Sequence, residues 1–189
     1  NPTGLLSRSE EYVKEGKGDL DLEGEDLKTS ARFCFADFLK GGATTVVPIT
    51  AMAPSRWEAP EEQIEVFAET ASEFGIRAYL SHHFRSGVPY WTEEGATRFI
   101  WDEERGKSGL KKGIEHAKEL EGSNDDLIHA MLFPYTLDTN SRDMLEETKK
   151  ASEDLDVPIH MHTAQSLREF HKIKREYGKT PIQFLDEIG

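Results

Sequence analysis

One pattern limits the fold of this chain more than any other: an amphipathic helix followed by a short apolar strand, four times over. In the first unit, Phe35, Phe38 and Leu39 fall at helical spacing behind a cap at Thr29 or Ser30. Gly41-Gly42 stops the helix, and the β-branched run Ala43 to Ile49 follows as a buried strand. In the second, Pro60 opens a helix with an apolar stripe of Ile64, Phe67, Ala68, Ala71 and Phe74. Gly75 ends it before the strand Ile76 to Leu80. Leu110–Leu120 with Asp126–Phe133, and Asp143–Asp154 with Val157–His162, form the third and fourth units. Leu167–Tyr177 and Pro181–Ile188 read as two further helices, and Glu10–Glu15 as a short one. Such alternation implies an α/β protein with a parallel sheet and right-handed crossovers. An open, flavodoxin-like doubly wound sheet and part of a (β/α)8 TIM barrel both satisfy it. A whole barrel takes about 250 residues.

Composition narrows the function classes. Thirty-six acidic against twenty-three basic residues give a net charge of −13, which argues against nucleic acid and against an anionic membrane as partners. No apolar run approaches the roughly 20 residues of a membrane span, so a cytoplasmic location is expected. A single cysteine, Cys34, excludes an intrachain disulfide and a cysteine-rich zinc site; it reads as a buried helical thiol. Residues 1–29 form a polar, turn-rich segment, and 30–189 form the folded unit. Phosphate-binding glycine motifs and G-x-S-x-G are absent.

In either architecture, sites form where strands end and the next loops begin. These places are Thr50–Trp57, Ser81–Arg105, Pro134–Asn140 and His162–Ser166. The second is long enough for a lid and carries Tyr90, Trp91 and Trp101. His160 and His162 alternate on one strand and share a face, where a neutral imidazole suits zinc or iron. His82 and His83 must point opposite ways. His116 and His171 read as solvated, and His129 as a hydrogen-bonded interior residue.

The fourth unit, VPIHMHTAQSLREFHKIKREYGKTPIQFLDEIG, resembles the fifth-strand segment of the amidohydrolase superfamily. The likeness is to the branch with cytosine and guanine deaminases and triazine hydrolases. That branch shows H-x-H-x-x-E, a helix, and a tail matched here by Tyr177, Gly178, Thr180, Pro181, Phe184, Leu185 and Gly189. FADFLKGGATTVVPIT and FGIRAYLS are similar to its second and third strands, and the likeness spans Ser30 to Gly189.

The resemblance implies strands two to five of a (β/α)8 barrel, with His162 as a ligand of one divalent zinc or iron ion. It places the remaining ligands outside these residues. It further implies a metal-dependent hydrolase acting on C–N bonds (amine or amide) or carbon–halide bonds of a small cyclic substrate. The partner is then a small molecule, together with the remainder of the same polypeptide or a homo-oligomer, and this chain alone is expected to be inactive. Gln165 stands where deaminases of this branch place Glu, and an amide hydrogen-bonds but does not relay a proton. Gln165 is the catalytic candidate; His83, Arg56, Trp57 and Tyr135 are the candidate substrate contacts. The competing expectation is a flavodoxin-like small-molecule binding module without catalysis.

Overall fold

A computed structural model describes residues 10–15, 22–50 and 56–189. Part of the polar 1–29 segment and the 51–55 part of the Thr50–Trp57 loop lie outside the described residues. The helices are α1 (Glu10–Glu15), α2 (Gly24–Lys40), α3 (Glu61–Phe74), α4 (Glu103–Leu120), the four-residue α5 (Ser123–Asp126), α6 (Arg142–Leu155), α7 (Leu167–Tyr177) and α8 (Pro181–Ile188). The strands are β1 (Thr45–Val46), β2 (Arg77–Leu80), β3 (Gly87–Trp91), β4 (Thr97–Trp101) and β5 (Ile128–Ala130).

β1, β2 and β5 form one sheet in that order, all parallel, with Val46 opposite Ala78 and Leu80 opposite Ala130. A helix precedes each strand, so the molecule is α/β with a parallel sheet. Pairing goes on past the regular strands: His83 pairs with Phe133, Leu132 with Ile159, and Thr136 with His162. The fourth expected strand, Val157–His162, is therefore a run of parallel bridges rather than a regular ladder. Its bonds are real: the His160 N–H donates to Leu132 O at 2.8 Å and the His162 N–H to Tyr135 O at 2.9 Å. Pro158 has no N–H to give, which leaves it only an accepting carbonyl, used by Leu132 N–H at 3.0 Å.

Of the five apolar clusters among the described residues, three hold the elements that carry the strand ends. Phe35, Ile76, Ala78 and Ile128 pack between the sheet and its helices. Phe84, Leu110, Leu132 and Met144 join α4 and α6 to the strand ends. Leu137, Leu145, Ile173 and Phe184 seat α7 and α8. Caps set the last two helices: Ser166 Oγ accepts the Glu169 N–H, and Thr180 with Gln183 forms a reciprocal capping box.

Other expectations need correction. α2 starts at Gly24, so Thr29 and Ser30 lie inside it rather than capping it. Its buried residues are Leu27, Ala31 and Phe35, spaced four apart. Cys34 is one position out of that phase, about 100° around the helix, and is exposed rather than buried. The expected loop Ser81–Arg105 contains an antiparallel hairpin, β3–β4, with Val88 opposite Ile100 and a turn at Thr92–Gly95. His116 is half-buried against His82, with ring centroids 5.1 Å apart, rather than solvated.

Candidate active site

The loops that leave β2, β5 and the 157–162 segment converge at one end of the sheet. His83 follows β2 and is fully buried. Its Nδ1 is 2.7 Å from Thr50 Oγ1, while Nε2 has no hydrogen-bond partner among the described residues. Burial holds the His83 imidazole well below its ordinary pKa, and the nearby charge of Arg85 adds to this, so the ring is neutral. The Tyr135 ring lies 5.6 Å from His83 on one side and 5.6 Å from His162 on the other. His160 stacks on Phe133 at 4.5 Å, and burial followed by the nearby His162 lowers its pKa. His83, Tyr135 and His162 therefore form one continuous group. His82 meets Glu58 and His116, and its ring lies nearly parallel to that of His83 with centroids 6.4 Å apart, so the two imidazoles do not point opposite ways as expected.

Beside this group is a cavity of about 440 Å³ whose lining includes Arg85, Trp91, Thr97, Tyr135, Gln165 and Arg168. Gln165 sits at its exposed rim, three residues past His162. Arg85 and Arg168 were not picked out by sequence reasoning. The Arg85 guanidinium lies 5.0 Å over the Tyr135 ring, and its Nε donates to Arg56 O at 2.7 Å. Arg56 thus contributes its backbone carbonyl, one step back from the cavity. Arg168 is held through Nε and Nη2 by the fully buried Asp138, at 2.9 and 2.8 Å. Thr136 Oγ1 donates to the other oxygen of Asp138 at 2.9 Å. The pattern P-Y-T-L-D-T-N was the available signal, because clustered Thr, Asp and Asn bond their own backbone in turns.

The hairpin closes one side of the cavity. Arg168 lies 5.7 Å over the Phe99 ring and the Lys172 ammonium 4.9 Å over the Trp101 ring. Trp57 is not brought to this group. It is 7% exposed, packs on Val13 and Val88, and spends its indole N–H on Val13 O at 3.3 Å.

The fit to a metal is partial. No hydrogen bond engages the His162 ring among the described residues, so its nitrogens are open to a ligand-binding role. Yet no three His, Cys, Asp or Glu side chains among the described residues lie close enough together to hold an ion, and zinc takes three or four protein ligands.

The chain is similar to several known proteins. The chain is 29% identical over 171 residues to the 5-methylthioadenosine/S-adenosylhomocysteine deaminase of Natronomonas pharaonis, covering 90% of this chain and 34% of that protein. It is 30% identical over 170 residues to the 5'-deoxyadenosine deaminase of Methanococcoides burtonii, again 90% of this chain and 34% of the relative. The chain thus spans about a third of these curated relatives. Among solved structures, a mutant of atrazine chlorohydrolase TrzN from Arthrobacter aurescens TC1, complexed with zinc and atraton, superposes with a TM-score of 0.67. That match has 21% identity and covers all of this chain and 40% of the other. At this identity the likeness speaks to the fold, and it does not favour a flavodoxin-like module. The amidohydrolase family model matches residues 6–189, nearly the whole sequence, and the chain belongs to that family.

Proposed function

We propose that residues 30–189 supply strands two to five of a (β/α)8 barrel, within a metal-dependent hydrolase that cleaves C–N or carbon–halide bonds of a small cyclic substrate. The observation that carries this reading is the placement of His162: its ring adjoins Tyr135, which in turn adjoins the neutral His83, at the strand ends beside a cavity rimmed by Gln165. The relatives, which are deaminases by name and one chlorohydrolase, support the bond class.

His162 would hold zinc or iron together with residues from outside this chain. Such an ion supplies a bound water acidic enough to be hydroxide near neutral pH. The chain's own side chains do the rest. Tyr135 and Trp91 give flat surfaces suited to a planar ring. His83 Nε2, neutral and without a partner among the described residues, hydrogen-bonds a ring substituent. Gln165 orients the substrate through its amide; any proton delivered to the ring comes from another group, because an amide does not titrate.

The test uses the longest polypeptide that carries this chain, assayed against amine-, amide- and halide-bearing heterocycles, with bound metal counted. We expect about one divalent ion per chain, and loss of both metal and turnover in His162→Ala. Full metal content in His162→Ala would overturn the assignment.

A further inference from the structure

The loop after His162 runs against its residue preference. Ala164 has a φ of 54°, in the left-handed region that disfavours residues bearing a Cβ. It lies two residues from His162 and next to Gln165, so its conformation sets how the chain leaves one candidate and presents the other.

A single carboxylate holds it there. Glu169, in the first turn of α7, is 0% exposed. Its Oε1 accepts the Ala164 N–H at 2.6 Å and the Thr163 hydroxyl at 3.4 Å. Its Oε2 accepts the Gln165 N–H at 3.2 Å. Ser166 Oγ in turn accepts the Glu169 N–H at 3.2 Å, fixing the side chain's base. Burial pushes the Glu169 carboxyl up in pKa, and the two amide N–H groups pull it back. Both oxygens face donors, so only an acceptor-only group satisfies all three loop atoms.

We propose that Glu169 is a positioning residue: it clamps Thr163–Gln165 in the left-handed turn, and so aims the Gln165 side chain and fixes the approach of the His162 ring. The kinetic side of this inference rests on the hydrolase reading; the structural side does not. Glu169→Gln is nearly isosteric but turns an NH2 toward one of the loop amides. Glycine adopts positive φ freely, so Ala164→Gly should lessen the need for the clamp.

The experiment compares Glu169→Gln, Ala164→Gly and the double variant in the polypeptide that carries the chain. In Glu169→Gln, hydrogen exchange at the Ala164 and Gln165 amides should quicken about tenfold or more, while Ile128 and Leu132 in the core stay within about twofold. Turnover should fall about tenfold with KM little changed, as expected when a group is misaimed rather than removed. The double variant should recover part of that turnover. Unchanged loop exchange, or a uniform rise across the core amides, would overturn the proposal. If the unaltered polypeptide neither binds metal nor turns over substrate, the hydrolase reading fails, and the exchange measurement still decides the role of Glu169.

Discussion

His82 and His83 are neighbours in sequence in opposite electrostatic settings. His83 is kept neutral by burial and faces aromatic rings. Its folded pKa lies below the ordinary 6.5, so its contribution to stability is present above that value and is lost as pH falls below it. His82 faces Glu58, whose Oε2 lies 3.8 Å from His82 Nε2 and whose Oε1 takes the Lys112 ammonium at 2.8 Å. The His82 imidazole and then Lys112 hold the Glu58 carboxyl down to about 2, against an ordinary 4.5. A depressed carboxyl adds stability above its unfolded pKa and loses it as pH falls through the folded value. Urea midpoints measured between pH 4.5 and about 2 should therefore fall more steeply in the wild type than in Glu58→Gln; equal slopes would contradict the pairing. His83, Tyr135, His162 and Gln165 were legible because each sits where a strand pattern ends. Glu169 and Asp138 were not. An acid on a helix or in a turn looks like any of thirty-six acids, and only the chain folded over it makes it buried.

At the scale of elements, α4 shows how sequence sets a close approach. A Cβ built at Gly109 would meet the Phe84 Cβ at 2.5 Å, so α4 can lie on the 81–86 segment only with glycine there. Gly109→Ala should cost about 1–3 kcal/mol in equilibrium unfolding, by forcing that segment off its packing. No change would mean that α4 has room to spare. Ser166→Ala should cost about 1 kcal/mol through loss of the α7 cap, read by the same unfolding curves. The bounds of α7 and α8 could be read directly, since Ser166, Gly178 and Thr180-Pro181 punctuate the chain. The hairpin was harder to see: Pro89 interrupts β3, and a run of five residues is too short for alternation to stand out from a packed loop.

At the scale of the whole molecule, two of the exposed apolar areas among the described residues lie beside grooves. Phe33, Phe38, Val47 and Ile49 are exposed around α2 and just past β1, beside a groove of about 320 Å³. Ile159 and Ile182 are exposed near the 157–162 segment and α8, with Ile159, Met161 and Leu185 lining a second groove of about 210 Å³. Unpaired strand edges and apolar patches of this kind invite association. We expect the isolated chain to sediment as species larger than its 21.4 kDa monomer, and a longer polypeptide that covers both places to remain discrete. A stable, cooperative monomer of residues 1–189 would count against the partial-barrel reading.

The central claim is that the His162 imidazole helps to hold a catalytic divalent ion. The most direct measurement is anomalous diffraction at the zinc edge, from crystals of the polypeptide that carries this chain grown with zinc. The account predicts a peak about 2.0–2.1 Å from a His162 ring nitrogen, on the side of Tyr135 and the cavity. A peak held by other residues, with the His162 ring turned away from it, would contradict the account.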